Sequence, residues 1–430
     1  MEKIMEMATR RAEEAELYRV RSQTKEVGFQ ANKLKSVESA FEDGVGLRVI
    51  KNQRIGFSSL TNLRDPQPLI SSALESAKFG QKACFNLPRP DKIPSPQCYD
   101  SRIIPLKTNQ MVEVGERTVE LILKEAPNFK CDGAVEKTEI EVAIMNSRGL
   151  SFSFKKTNYV FSFYAFLAKE GDFLGVQEGE ASCRHQDWSS SVARRITEAI
   201  RLSRKIFKIN PGRYPAIFTP KAVPLLLQSL KVGINGKIVQ KKASPLLGKL
   251  GTRIVSPCIN ITDDPLVSFG LATAPLDGEG IPSRRTEIIQ EGVLKSFIYD
   301  LQTAGLMGTE STANGARGYD SLPSPSPSNF ILNPGDTSFE EMVKDVKEGI
   351  IVDQVIGSGQ GNILMGEFSV NLDLGYKVEK GKIVGRLKDI MVSGNAYTMF
   401  NQVVALGRDV RWVGSTRTPS IYFKEINVAG

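Results

Sequence analysis

Histidine is the scarcest chemically informative residue in this chain of 430 amino acids, which contains a single one, His185. Zinc hydrolases commonly use at least two imidazole ligands, and serine or cysteine triads need an imidazole beside the nucleophile. A catalytic centre built by this chain alone would therefore have to depend on carboxylates, lysines or hydroxyl groups.

Cysteine is also sparse, and its spacing excludes two common uses. An odd number of widely separated cysteines fits neither a disulfide framework nor a paired zinc knuckle, so we expect reduced, mostly buried thiols. Cys183 and Trp188 lie close to His185 in the sequence, but no third ligand is near, so an ordinary half-buried histidine is favoured over a metal site. The five cysteines are Cys84, Cys98, Cys131, Cys183 and Cys258.

Long apolar runs are absent as well. The longest candidate, residues 159–168, has about half of the roughly 18 to 20 residues that a membrane helix needs. Residues 1–15 are rich in Glu, Arg and Lys and lack the apolar core of a secretory signal. These absences predict a cytoplasmic protein without a membrane span.

The composition that is present is typical of a globular protein, with 41% hydrophobic and 24% charged residues. The net charge of +8 permits attraction to nucleic acid. Lys and Arg cluster locally at 201–208 and 237–249, but no aromatic side chains that could stack on bases alternate with them. A solvated basic surface is favoured, and nucleic acid is not an expected partner.

Hydrophobic periodicity predicts an α+β protein of two domains, each a mainly antiparallel sheet packed with helices. We place the boundary at a break in composition near Asn210-Pro211-Gly212, which gives an N-terminal α+β domain, residues 1–208, and a C-terminal, mostly β domain, residues 209–430. In the first domain the patterns predict a helix over the first seventeen residues, a meander over 15–59 with turns at 43–44 and 51–53, helices at 68–79 and 110–124, strands over 138–184 with a central strand at 159–167, and a helix at 190–207.

The second domain shows shorter and less regular patterns. Thr337 and Glu340 have the spacing of a capping box, with Gly349 as the expected end of that helix. The Ser-Pro tract at 321–328 predicts a surface loop. Further predictions are an apolar helical segment at 222–239, a helix at 396–404, and strands at 214–218, 253–255, 287–289, 293–299, 350–355, 383–392 and 420–428.

Two groups of residues could in principle carry chemistry. The carboxylates of Asp263-Asp264 and of Asp277-Gly278-Glu279-Gly280 could do acid–base work or hold Mg²⁺, although turn formation at strand ends is the favoured interpretation. The glycine-rich loop Gly357 to Asn362 lacks the last glycine of a dinucleotide fingerprint and precedes no helix, so a flexible turn is favoured over phosphate binding.

Several motifs, in one order along essentially the whole chain, resemble the TldD/PmbA family, historically called modulators of DNA gyrase. The resemblance implies a cytoplasmic peptidase of two related subunits, of which the TldD type binds zinc and the TldE (PmbA) type does not. The motifs are Leu34 to Ile50 followed by Arg54-Ile-Gly-Phe-Ser-Ser, Ala243-Ser-Pro-Leu-Leu-Gly-Lys-Leu-Gly, Asp277-Gly-Glu-Gly-Ile-Pro-Ser-Arg-Arg-Thr, Gln290-Glu-Gly-Val-Leu-Lys, and the ending Ile426-Asn-Val-Ala-Gly.

The same resemblance locates the family's zinc motif in this sequence. The zinc-bearing chain carries His-Glu-x-x-x-His on a helix, with a further cysteine ligand near the C-terminus. Counted back from Ala243, the corresponding window is residues 227–232, where Leu227, Gln228 and Val232 replace the two histidines and the glutamate. Neither aliphatic side chain can bind a metal, the amide cannot accept a proton from zinc-bound water, and no cysteine follows Cys258. We therefore predict no catalytic and no metal-binding residue in this chain.

The sequence supports one main hypothesis and leaves two alternatives open. The hypothesis is a non-catalytic TldE-type subunit that pairs with a TldD-type chain, which would supply the zinc, in a peptidase acting on unfolded peptides. The first alternative is a self-associating, homodimeric binding protein that acts on DNA or on gyrase without peptidase activity. The second is a homodimeric enzyme that uses carboxylates alone.

Overall fold

The computed structural model describes residues 1–61, 65–357, 359 and 361–430. About 21% of the chain is helix and about 41% is strand, and antiparallel pairings dominate its sheets. The predicted α+β class is therefore confirmed.

The N-terminal half is organised around one six-stranded antiparallel sheet of unusually long strands, in the order β3-β2-β1-β4-β5-β6. Buried and less buried residues alternate along β5, which directs one of its faces at the core. Two-residue turns at Ala31-Asn32 and Asn52-Gln53, all with positive φ, join the first three strands. The strands are β1 (Glu14–Gln30), β2 (Lys33–Lys51), β3 (Arg54–Leu60), β4 (Lys130–Asn146), β5 (Ser151–Lys169) and β6 (Asp172–Ser182).

The helices of this half pack on the sheet in two pairs. The first pair is α1 (Glu2–Thr9) and α2 (Gln67–Ala77), whose apolar residues join a core cluster with β1 and β2. The second pair, α3 (Thr108–Glu125) and α4 (Ser189–Leu202), covers β4 to β6 and shares its core cluster with residues of the C-terminal half.

Three predictions for this half need correction. The first helix ends at Thr9, because the chain must already be extended at Glu14 to pair with Ile50. Residues 43–44 form no turn but lie inside β2. The segment 159–167 is not a central strand covered on both sides: β5 is next to the sheet edge, and only alternate residues along it are buried.

The C-terminal half contains a core sheet and a smaller sheet. In the core sheet, β15, β8, β22, β18 and β16 form a closed circuit of pairings, because β15 pairs with both β8 and β16. The smaller sheet has the order β11-β10-β9-β14-β21-β20. The strands are β7 (Ile206–Phe207), β8 (Gly212–Phe218), β9 (Ile261–Asp263), β10 (Thr286–Gln290), β11 (Val293–Leu294), β12 (Gly315–Ala316), β13 (Ser324–Pro325), β14 (Phe330–Leu332), β15 (Glu348–Ile356), β16 (Glu367–Glu379), β17 (Lys382–Leu387), β18 (Met391–Asn395), β19 (Val403–Leu406), β20 (Arg411–Val413), β21 (Thr416–Thr418) and β22 (Ile421–Ala429).

Short helices cover this half, and one of their predicted caps was displaced by a residue. Ser338, not Thr337, caps the helix after it, and its hydroxyl and Glu341 form the reciprocal capping box. That helix ends at Asp345, and Gly349 lies in β15. The helices are α5 (Val223–Gly233), α6 (Gly236–Gln240), α7 (Leu301–Met307), α8 (Phe339–Asp345) and α9 (Ala396–Met399), with a 3₁₀ turn at Ile363–Met365.

Other C-terminal predictions were only partly right. Residues 253–255 form no strand, and Arg253 makes only an isolated bridge to Val293. The strand predicted over 293–299 is limited to Val293–Leu294, and the helix predicted over 396–404 ends at Met399, because Val403 already pairs with Phe423.

The two halves share a hydrophobic core. One cluster joins Ile196 and Phe161 of the N-terminal half to Ile351 and Tyr422 of the C-terminal half. The boundary between residues 208 and 209 falls between β7 and β8 and stays a prediction. Within the described ranges, none of the helices combines the length and the apolar character that a membrane span requires.

Candidate functional site

Helix α5 carries the three residues that the sequence assigns to the degenerate zinc motif. Leu227 is fully buried in the core, Gln228 is exposed, and Val232 is half-buried. Zinc in proteins is bound by thiolate, imidazole or carboxylate groups. Two aliphatic side chains and one exposed amide cannot supply such a set of ligands. Among the described residues, no group of three or more His, Cys, Asp or Glu side chains is arranged to hold a metal ion.

Helix α5 also carries a half-buried lysine, Lys231. Its Nζ donates a hydrogen bond of 2.6 Å to Thr416 Oγ1 and lies 5.1 Å from the centre of the Phe330 ring. Burial lowers the pKa of Lys231, and the nearby Asp263 opposes this shift. The cation–π contact and the hydroxyl partly replace the water that the ammonium has lost.

Asp263 is a buried strand residue, which corrects the turn interpretation for this position. It ends β9, and its carboxylate accepts hydrogen bonds from Asn314 Nδ2 at 2.7 Å and from the backbone N–H of Ser328 at 2.6 Å. Burial raises its pKa to about 6 despite these bonds. Asp264 does form a turn, because its Oδ1 accepts the backbone N–H of Leu266 at 2.9 Å.

The lone imidazole is part of an aromatic cluster in the N-terminal half. His185 packs edge-on against Tyr159 at 4.9 Å, and Trp188 stacks on the same tyrosine at 5.5 Å. Burial, followed by the charge of Arg102, lowers the pKa of His185. This arrangement confirms an ordinary half-buried histidine that is neutral at pH 7.

The glycine-rich loop at 357–362 is described only in part, since Ser358 and Gln360 lie outside the described residues. Asn362 caps the 3₁₀ turn that follows, by accepting the backbone N–H of Met365 at 3.2 Å. The flexible turn predicted for this loop stays a prediction.

A groove of about 500 Å³ lies where β6 meets β15 and β20. At its floor Glu178, with 4% of its side chain exposed, contacts Arg195 Nε, Lys221 Nζ and Arg411 Nη2, each at 2.7 Å. Lys221 also contacts Asp353 at 2.7 Å. The groove therefore combines paired charges of both signs with apolar side chains such as Val355 and Ile356.

The cations around Glu178 decide its charge. Burial alone raises the pKa of this carboxyl group, but Lys221 and Arg411 outweigh burial and lower the pKa to about 2. For Lys221, burial lowers the pKa, but Asp353 and Glu178 reverse the shift and raise it. Glu178 and Lys221 are therefore both ionised near neutral pH, and their ion pairs join β6 to the C-terminal half.

One edge of β6 opens into this groove. The Gln177 N–H donates to the Gln354 side chain at 2.9 Å, and the Cys183 N–H donates to the Phe269 carbonyl at 3.0 Å, so both groups point away from β5. Since strand residues two apart direct their backbone groups to the same side, Gly179 and Ala181 also point outward. Neither has a backbone partner on that side among the described residues.

A second strand edge borders the same groove. β20 pairs only with β21, and its residues Arg411 to Val413 line the groove opposite β6. Trp412, half-buried, adds an aromatic surface between the two edges. The groove thus offers unpaired backbone groups, paired charges and one indole, a combination suited to an extended peptide.

Comparison with known proteins assigns the chain to a family. Residues 211–430 match the family model described as PmbA/TldA metallopeptidase C-terminal domain, and residues 15–77 match PmbA/TldA metallopeptidase domain 1. The chain belongs to the PmbA/TldD metallopeptidase family. This assignment confirms the family that the sequence motifs predicted.

Relatives align with this PmbA/TldD chain along nearly its whole length. It is 28% identical over 427 residues to Uncharacterized protein MJ0231 of Methanocaldococcus jannaschii, covering 99% of this chain and 98% of that protein. It is 24% identical over 443 residues to Metalloprotease PmbA of Escherichia coli O157:H7, covering 99% and 94%. The crystal structure of TldE from Thermococcus kodakarensis superposes with a TM-score of 0.92 at 23% identity, covering 100% of both chains, which shows the fold.

Two motifs of this PmbA/TldD chain, Leu34 to Ile50 and Asp277-Gly-Glu-Gly, meet at a buried junction between β1, β2 and loops of the C-terminal half. Arg48 contacts Glu279 Oε1 at 2.6 Å and Glu16 Oε2 at 3.1 Å, and Arg317 contacts Glu16 Oε1 at 2.7 Å. All four side chains are at most 3% exposed. The Asp-Gly-Glu-Gly motif is therefore not only a turn but also one side of a buried ionic network.

Asp277 forms the turn beside this network. Its carboxylate accepts the backbone N–H groups of Glu279, Ile281 and Gly315, each at 2.9 Å, which confirms the turn-forming interpretation. Burial, followed by the charge of Glu279, raises the pKa of Asp277 to about 7. Since three backbone N–H groups hold this carboxylate, its role is structural.

Two glycines of the N-terminal motif make room for the junction. A Cβ on Gly44 would lie 2.3 Å from the Tyr319 ring, and one on Gly46 would lie 2.2 Å from the Tyr319 carbonyl oxygen. Both glycines share a sheet face with Arg48, so the loop at 317–319 can lie directly on β2.

We expect Gly46→Ala to lower the free energy of unfolding by about 2–4 kcal/mol, because backbone atoms at Tyr319 would have to move from a packed junction. Chemical unfolding of the purified protein measures this. Gly212→Ala is the control, since its nearest neighbour would be the Tyr214 ring at 3.3 Å. An equal loss in both variants would contradict the close packing inferred at Gly46.

The charged residues of the groove were missed at the sequence level. Glu178, Lys221 and Arg411 are far apart in the sequence. The residues next to each of them are typical of a surface strand or of the start of a helix, so no local pattern indicates a cluster. The available signal was weak: the alternation Glu178-Gly179-Glu180 in a strand, and an arginine beside one of only two tryptophans.

Proposed function

We propose that this chain is the zinc-free, TldE-type subunit of a heteromeric metallopeptidase and that it acts with a TldD-type chain that holds the zinc. The observation that carries the proposal is on α5, where Leu227, Gln228 and Val232 leave the family's metal site without a donor set. The lone imidazole, His185, packs against Tyr159, which belongs to a different core cluster from Leu227, so His185 cannot substitute. Whole-length similarity to a protein named PmbA supports the assignment to this type.

The proposed contribution of the chain is to hold unfolded peptide for its partner. Backbone groups at Gly179 and Ala181 on β6 could pair with an extended peptide, as in other complexes formed by strand addition. Main-chain pairing selects for extended conformation and depends little on sequence, so folded proteins would be excluded while many unfolded peptides could bind. Glu178 and its cations keep the edge of β6 in place beside β20.

The test is a cleavage assay on an unfolded polypeptide, with the chain alone, a TldD-type chain alone, and the two together, each with added zinc. We expect no turnover by this chain alone and strong, chelator-sensitive turnover only by the mixture. The matched control is the same mixture in which the glutamate of the partner's His-Glu-x-x-x-His is replaced by glutamine. Chelator-sensitive cleavage by this chain alone would refute the proposal.

A further inference from the structure

The outer half of β2 is an unpaired sheet edge. β1 pairs with β2 along its full length, but β3 pairs only with residues 45–51. Residues 33–44 consequently have a free side, and none of them forms a further backbone hydrogen bond among the described residues. Natural proteins usually shorten, cover or pair an edge of this length, because it is a template for another strand.

This edge carries three exposed apolar side chains on one face. Leu34 is 43% exposed, Val37 is 48% exposed and Phe41 is 72% exposed. The bulge at Gly28 and Phe29 keeps them together, because Leu34 lies opposite Phe29 while Val37 lies opposite Val27. An apolar stripe on a free strand edge is typical of a protein interface.

Positive and negative side chains are separated along this edge. Lys33 and Lys35 lie at its start, and Glu38 and Glu42 lie towards its end, all exposed. A run of lysines alone would discourage pairing, whereas this order is complementary to itself when the strand is reversed. If Lys35 stays a bulge residue in both copies, so that opposed side chains share a face, the antiparallel register that places Lys33 opposite Glu42 also places Leu34 opposite Phe41. Both pairs occur twice about a two-fold axis at Glu38.

We infer that residues 33–44 of β2 form a self-association surface that pairs antiparallel with the same edge of a second copy of this chain. A two-fold axis perpendicular to the sheet would put both apolar stripes on one face and join two six-stranded sheets into one. This inference goes beyond the proposed function, because β6 and its groove lie at the opposite edge of the sheet and stay open in such a dimer.

The test uses charge exchange and sedimentation velocity over a concentration series. The wild-type chain is expected to be dimeric. Lys33→Glu combined with Lys35→Glu makes the edge wholly acidic, and Glu38→Lys combined with Glu42→Lys makes it basic. Each variant alone should dimerise at least about tenfold more weakly, because like charges would face each other in every pair. An equimolar mixture of the two variants should recover a heterodimer of wild-type strength.

Phe41→Lys should also weaken the dimer, and Phe79→Lys is its control because Phe79 is 89% exposed but lies outside the edge. Circular dichroism of each variant checks that the monomer is folded. A wild-type chain that stays monomeric at all concentrations would overturn the inference and leave the edge to a different occupant. A dimer that survives both charge variants unchanged, or a mixture that does not re-associate, would overturn it as well.

Discussion

Replacing Arg48 by methionine is expected to lower the free energy of unfolding by about 3–5 kcal/mol. The guanidinium of Arg48 contacts both Glu16 and Glu279, and all three side chains are at most 3% exposed. Removing it leaves two buried carboxylates, with only Arg317 near Glu16 as a remaining cation. Urea unfolding at pH 7 measures the loss.

The control for this prediction is Arg10→Met, which removes an arginine from an exposed ion pair with Glu6. Such pairs contribute less than about 1 kcal/mol. Adding Glu279→Gln to Arg48→Met should recover part of the loss, because one of the two uncompensated charges is then removed. If Arg48→Met were as stable as Arg10→Met, the network would not be holding the two halves together.

Replacing Glu178 by glutamine is expected to cost about 3 kcal/mol at pH 7 and to flatten the acid limb of the stability profile. The folded-state pKa of Glu178 is about 2, below the ordinary 4.5, because Lys221 and Arg411 outweigh burial. Its stabilisation is therefore complete above pH 4.5 and is lost as the pH falls towards 2. The free energy of unfolding, measured from pH 5 to pH 2.5, should fall less steeply in the variant.

Glu198→Gln is the matched control, since Glu198 forms an exposed ion pair with Arg194 one helical turn away. It should leave both the stability at pH 7 and the acid slope nearly unchanged. A parallel acid slope for the wild type and Glu178→Gln would show that protonation of other carboxylates dominates acid unfolding. Glu178→Gln should also weaken peptide binding, because the edge of β6 would be held less firmly beside β20. This result would link the stability test to the proposed groove.

Local signals were sufficient for the long elements of the N-terminal half. The meander, α2 and α3 were predicted within a few residues, because each has a strong period of two or of 3.6 over at least ten positions. The helix predicted over 190–207 ends at Leu202, since Ile206 and Phe207 form β7. The misplaced turn at Asp43-Gly44 shows the limit of such signals. Its glycine serves the close approach of Tyr319, a contact from a distant part of the chain that no local pattern reports.

Short elements of the C-terminal half were harder to predict for a related reason. β11, β12 and β13 have two residues each, and the pairing of β14 with β21 joins residues 86 positions apart in the sequence, such as Phe330 and Thr416. Such strands are stabilised by neighbours across the sheet rather than by their own propensity. The capping box, in contrast, was off by one residue only because Thr337 and Ser338 are both suitable caps.

The sequence by itself determined the family of this chain, its α+β class and its lack of a second imidazole, since motifs, periodicity and composition are carried by the residues in their order. The tertiary structure alone decided that Glu178, Lys221 and Arg411 form one cluster, that the edges of β6 and β20 border one groove, and that residues 33–44 of β2 pair with β1 on one side and with no described strand on the other. These are properties of strand order and of contacts between distant segments. They arise when the two halves pack together and so have no signature in any local stretch of sequence.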